Sequence, residues 1–138
     1  MVFKEIIRAI HVLEDLIQIR HQVKEDIFLQ GSLLWYLYVV VQGSIDLAIK
    51  IISDLRLGSP ETYAEAIEIL HRHKLVSKEF KEKLITMTKF RHLLAHAYPR
   101  IDIEKILQEL PDDLNDIRGY LKELDRNLKK YNKKIEDY

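Results

Sequence analysis

The chain has 138 residues, enough for one domain with a buried core of its own. With 47% hydrophobic and 32% charged residues it is neither disordered nor fibrous, and with no cysteine it offers neither a disulfide framework nor thiolate chemistry. Lys plus Arg equals Asp plus Glu at 22 each, which argues against a strongly basic nucleic-acid binder, so a polyanion would have to meet a local patch.

Lys4, Glu5 and Arg8 interrupt the start, so no secretory signal is expected. Ile6, Ile10, Leu13 and Ile17 then recur at helical spacing and predict an amphipathic helix over about residues 2–25. A second helix is expected over about 28–55. Its run Leu33 to Val41 (L-L-W-Y-L-Y-V-V-V) is far too short to span a bilayer, yet it is apolar all round. Two readings follow: a second protomer covers one face around Trp35 to Val41, or the helix is buried centrally within one chain.

In R-L-G-S-P, Gly58 suits a helix C-cap, Ser59 an N-cap and Pro60 the first helical position, with a short helix to about His73. Ser77 suits the cap of a helix from Lys78 to about His96, which Pro99 breaks, leaving Tyr98 biased to an extended conformation. Asp102 suits the N-cap of I-E-K-I-L-Q-E-L, and Pro111 is expected to end or kink that segment. A last helix is expected over about 112–133, followed by a fraying Lys-rich tail. No strand pattern, internal repeat or low-complexity segment competes with these helices.

Candidate chemistry concentrates in F-R-H-L-L-A-H-A-Y-P-R-I-D, where Arg91, His92, His96, Tyr98 and Arg100 fall together. His92 and His96 share a helix face, so a metal pair is conceivable. The zinc-protease pattern needs Glu where Leu93 stands, and no third ligand is evident, so no metal is assigned. With no cysteine and no Gly-x-Ser-x-Gly elbow a nucleophile triad is not supported, and no phosphate-cradling glycine loop is present. Five residues turn a helix by about 500°, so Arg91 and His96 point about 140° apart. They can flank a groove, or converge if the helix loosens before Pro99, with Phe90, Leu93 and Leu94 anchoring the segment to the core. A fixed cation beside a titratable base suits phosphodiester cleavage. The same residues also suit the last turn of any helix, where cations favour the dipole. His71 and His73 read as surface residues at a helix end, and His11 and His21 have no partner in view. Lys129, Lys130, Lys133 and Lys134 read as a solvated charged end rather than as an RNA contact.

R-H-L-L-A-H-A-Y resembles the signature of HEPN domains, Arg, a polar residue, three more residues and His, and the Tyr two positions on resembles the HepT-like branch. The resemblance runs over nearly the whole chain, through I-D-L-A-I-K-I-I-S, T-Y-A-E-A-I-E-I-L, the M-T-K-F lead-in and Y-P-R-I-D. His92 stands where HepT-like proteins usually carry Asn; related HEPN motifs also accept His or Asp there. The resemblance implies a single 1–138 domain, an all-α antiparallel bundle of four to five helices, homodimeric, with an active-site cleft at the dimer interface. It implies a metal- and cofactor-independent endoribonuclease toxin in the cytoplasm, with RNA as substrate and no membrane partner. Arg91 would contact the scissile phosphate and His96 would act as general acid or base, with His92 and Arg100 in support. The family partner is an MNT-type nucleotidyltransferase antitoxin, and Tyr98 matches the tyrosine that receives AMP. The alternative is a non-catalytic HEPN module that binds nucleotide or RNA, or docks a partner.

Overall fold

The N-terminal aliphatic stripe folds as α1 (Val2–Gln18), which buries Ile6, Ala9, Ile10, Leu13 and Leu16. The computed structural model describes residues 1–96 and 100–138. The helix expected over 2–25 is broken at Ile19 (φ −111°, ψ 30°), after which α2 (Arg20–Glu25) begins. An unbroken helix would carry Arg20, four residues after Leu16, onto the buried stripe. The break leaves Arg20 exposed and sends Val23 inward.

Asp26 caps α3 (Ile27–Asp54), its carboxylate accepting from the N–H groups of Phe28 and Leu29 at 2.8 and 3.2 Å. A Cβ on Gly43 would lie 2.7 Å from the Ile6 side chain, so the lack of a side chain there lets α1 and α3 pack this closely. By length and hydropathy α3 could cross a bilayer, but half of its most apolar window is buried within the chain. Leu33, Leu34, Leu37, Val40 and Val41 all face the core, so the central-helix reading explains much of the apolar run. Within the run Tyr36, Tyr38 and Val39 are half-buried and Trp35 is 59% exposed, and before it Ile27 is 75% and Phe28 85% exposed.

The end of α3 differs from expectation. Arg56, not Gly58, takes the left-handed conformation (φ 54°), and the N–H of Leu57 reaches back to the Ile52 carbonyl at 3.0 Å. This is a Schellman closure with half-buried Leu57 as its apolar contact. Nor do Ser59 and Pro60 start the next helix. Thr62 caps α4 (Tyr63–Arg72), its Oγ1 accepting from the Glu65 N–H at 3.0 Å, while the Glu65 carboxylate accepts from Glu61 N–H. The pattern T-Y-A-E carries a capping-box signal stronger than a lone Ser-Pro.

Ser77 caps α5 (Lys78–His96) as expected, accepting from Phe80 N–H at 3.4 Å, and Asp102 caps α6 (Ile103–Leu128), accepting from Lys105 N–H at 3.1 Å. Pro111 neither ends nor separates this last segment. It sits exposed inside one continuous helix, and the buried residues before it (Ile106, Leu107, Leu110) stay in phase with those after it (Leu114, Ile117, Leu121, Leu124). Burial of that continuous stripe outweighs the backbone bond that proline removes. α5 and α6 run antiparallel: Ser77 N–H meets Glu123, Phe80 faces Gly119, and Lys83 pairs with Asp116.

The tail does not fray. Two short 3-10 turns, Lys129–Tyr131 and Ile135–Asp137, fold it back, and Ile135 and Tyr138 are buried. The Tyr138 hydroxyl donates to Asp54 at 2.5 Å, and Val2 N–H donates to the Tyr138 carbonyl at 3.0 Å. Lys130 Nζ donates to the His73 carbonyl at 3.0 Å, while Lys129, Lys130 and Lys134 stay exposed, as expected of a solvated charged end. The result is the expected all-α bundle, with six helices among the described residues rather than four to five. All of them share one apolar core.

Candidate active site

Two side chains bury the site helix α5 most firmly, Leu84 and Leu94, while Phe90 is half-buried against the core. Leu93 is 41% exposed, so of the three expected anchors it is the one that faces outward. This orientation turns Arg91 toward α3 and α4. Its Nε donates to Gln42 Oε1 at 2.7 Å, and its Nη2 lies 3.5 Å from the Tyr38 hydroxyl. The guanidinium carbon sits 5.8 Å from the Tyr38 ring centre and 5.5 Å from that of Tyr63. Arg91 is therefore a half-buried cation beside two aromatic rings, and loss of water strengthens such contacts. Gln42 is itself fixed, because its amide nitrogen donates to Asp46 Oδ1 at 2.8 Å. Next along the same face of α3, Trp35 stacks on Tyr38 with ring centres 6.1 Å apart and planes 28° from parallel.

His92 and His96 are exposed and adjacent, ring centres 4.6 Å apart at 52°, as their one-turn separation requires. Among the described residues no group of three or more His, Asp or Glu side chains is placed to hold a metal ion. Arg100 is exposed beside Ile101 and Asp102, and Tyr98 and Pro99 lie outside the described residues. The remaining histidines stand apart from this site. His71, expected at the surface, is half-buried with Nδ1 3.0 Å from the Val76 carbonyl, and it ties the end of α4 to the turn before α5. His73 and His21 are exposed, and His11 lies 3.7 Å from Glu14 at the surface.

A cavity of about 670 Å³ opens between α3, α5 and α6, with Leu37, Val41, Phe90 and Ile106 in its lining. Neither Arg91, His92 nor His96 lines it. Its charged lining is more acidic than basic, Glu82, Asp102, Glu109, Asp113 and Asp116 against Lys83, Arg100 and Lys105. Burial, and then the neighbouring Glu109, Asp116 and Asp112, push the Asp113 carboxyl up to about 6. Such a rim repels a polyanion. The face of α3 and α4 that holds Arg91 is the better surface for one.

The arrangement offers a fixed cation for an oxyanion and two accessible imidazoles for proton transfer. Sequence reasoning singled out Arg91, His92 and His96 as candidates but did not anticipate the side chains that hold the arginine. Gln42 and Asp46 had a signal, two polar residues one turn apart on an otherwise apolar helix. Tyr38 and Tyr63 had none, because tyrosine in a helix reads first as core.

A family model described as ribonuclease HepT-like matches residues 5–124 of the chain. The mRNA nuclease HepT of Shewanella oneidensis is 23% identical over 100 residues, which covers 72% of this chain and 75% of that protein. The fold matches a toxin–antitoxin crystal structure with AMP-PNP at a TM-score of 0.80 and 20% identity, covering 89% of this chain and 93% of that one. It also matches the tri-AMPylated HEPN toxin of Shewanella oneidensis, solved in complex with its MNT antitoxin, at a TM-score of 0.68 and 22% identity over 87% and 96% of the two chains. The family match spans most of the sequence and the fold agrees with it: the chain belongs to the ribonuclease HepT-like family of HEPN proteins.

Proposed function

We propose that the chain is a metal-independent endoribonuclease, the toxin of a HEPN/MNT toxin–antitoxin pair, which cleaves RNA in the cytoplasm with Arg91 and His96. The observation that carries the reading is Arg91 itself, held by Gln42, Tyr38 and Tyr63 on the helix that also bears two accessible imidazoles. A guanidinium fixed before substrate arrives needs no reorganisation to meet developing phosphoryl charge. His96 takes the proton of the ribose 2′-hydroxyl as its oxygen attacks phosphorus, or gives one to the departing 5′-oxygen. The products are a 2′,3′-cyclic phosphate and a 5′-hydroxyl. Imidazole is suited to both roles near neutral pH. His92, one turn before His96, orients it or the RNA, while Arg100, on the rim of the acidic cavity, would support binding only from outside Arg91's face.

A second copy of the chain whose motif helix meets this one would complete the cleft, and two protomers could then divide the acid and base roles. Incubation with total RNA tests the chemistry. His96→Ala should cut cleavage by about 10²- to 10⁴-fold and Arg91→Ala by about 10²- to 10³-fold, with fold retained and no inhibition by EDTA. Chelation that abolishes activity, with rescue by added metal, would return the paired-histidine metal reading. The zero net charge favours the second reading, a non-catalytic RNA- or partner-binding module. That reading stands if wild type and His96→Ala leave RNA equally intact.

An MNT-type nucleotidyltransferase would silence the enzyme by attaching AMP to Tyr98, placing an anion and an adenosine where RNA must enter. Co-expression with such a partner and intact-mass measurement should reveal one or more AMP units on wild type and none on Tyr98→Phe. Equal gains on both proteins would move the modified residue elsewhere.

A further inference from the structure

Trp35 is unusual for this bundle. Leu34 and Leu37 on either side of it are buried, yet its own indole is 59% exposed. It does not stand alone, because the ring stacks on Tyr38 at 6.1 Å, and Tyr38 in turn carries the Arg91 guanidinium at 5.8 Å. Tyr63 lies 5.5 Å from the same guanidinium. Aromatic rings and one cation thus lie together, with the exposed indole beside them. We propose that Trp35 and Tyr38 form a stacking platform for a base of single-stranded RNA, adjoining the phosphate that Arg91 binds. The proposal rests on the ribonuclease reading and adds the form of RNA the site accepts.

Three physical points favour this occupant. The separation of the Tyr38 ring from the guanidinium is comparable with that of a base from its own phosphate within one nucleotide. Every base has a π-face, so stacking supplies affinity without sequence preference, and only an unpaired, unstacked base is free to supply that face. A second copy of the chain fits Trp35 less well than it fits Ile27 and Phe28. Next to the indole, Tyr38 carries the Arg91 guanidinium, and a dry protein interface laid over that cation would strip its remaining water. An RNA phosphate brings it an anion instead. The acidic lining of the large cavity, by contrast, excludes that cavity as the RNA track.

The chain contains one tryptophan, so its emission reports on this platform directly. The wild-type protein is titrated with an oligoribonucleotide methylated at every 2′-oxygen, which cannot be cleaved, and with the same strand annealed to its complement. The expected result is saturable quenching by the single strand and little by the duplex. In cleavage assays Trp35→Ala should raise KM for single-stranded RNA by about 5- to 150-fold with kcat little changed, and Trp35→Phe should restore most of the loss. Unchanged emission with a strand whose unmethylated form the protein cleaves would reject the platform and leave the ribonuclease reading standing. Equal quenching by the duplex would also overturn it. So would a blue shift that follows protein concentration rather than RNA, since a second copy would then occupy the indole. A protein that neither binds nor cleaves RNA would overturn the ribonuclease reading, and the platform with it.

Discussion

Arg91 could be identified from the sequence as a candidate because of its neighbours His92 and His96, but its environment could not. The residues that fix it lie about fifty positions upstream on α3 and on the first turn of α4. Gln42 holds the guanidinium through a neutral amide, and Asp46 fixes which way that amide points. On the proposed reading Gln42 positions Arg91, and its effect should appear in turnover as well as in stability. Gln42→Met keeps the length and loses the acceptor. Given about 1.5–3 kcal/mol for a hydrogen bond to a charged group, the melting temperature should fall while the helical circular dichroism is retained, and kcat measured on folded protein should drop roughly 10-fold or more. A Gln42→Met enzyme with wild-type turnover would show that Arg91 needs no such support. His71 carries the opposite lesson: a histidine read as surface decoration joins α4 to the following turn through the Val76 carbonyl.

At the scale of elements, two side-chain caps were legible, whereas those at Asp26 and Thr62 were not. Ser77 and Asp102 cap their helices as expected. The boundaries at Ile19, Arg56 and Pro111 were not legible, because each depends on which residues the neighbouring helices bury. α6 also carries a local conflict. Asp112, Asp113 and Asp116 follow Glu109 within two turns, and the Asp113 carboxyl is pushed up to about 6 from an ordinary 3.8. The folded protein then binds this proton more tightly than the unfolded chain does. Asp113 therefore destabilises the fold increasingly as pH rises from about 4 through about 6, and makes no such demand below that window. Asp113→Asn should raise stability at pH 7.5 by on the order of 1 kcal/mol, discounted because the side chain is solvent-accessible, and should be neutral at pH 4. Denaturant melts of both proteins at the two pH values check this. Equal differences at both would show that the carboxyl titrates normally.

For the whole molecule, the uncovered apolar surface is concentrated at the start of α3, where Ile27 is 75% and Phe28 85% exposed. Such residues in a chain of 16.4 kDa point to a second copy as their cover. Phe28→Asp should shift light scattering from twice the chain mass to the chain mass and reduce RNA cleavage, although Arg91 and His96 are untouched. A wild-type protein already monomeric at micromolar concentration would remove both the dimer and the shared cleft. A Phe28→Asp protein that stays dimeric would move the interface to another surface.

The sequence by itself determined the all-α class, the approximate course of the long helices and the cluster of Arg91, His92 and His96. Those features are written in local periodicity, turn residues and a short motif, each of which acts within a few residues of chain. Tertiary structure decided the rest. Packing of α1, α3 and α6 chose where Ile19 breaks a helix and why Pro111 does not, and it docked a charged tail through Tyr138 and Asp54. It also set Gln42, Tyr38 and Tyr63 around one guanidinium. Those contacts join residues far apart in the chain, so their energy exists only once the helices have met.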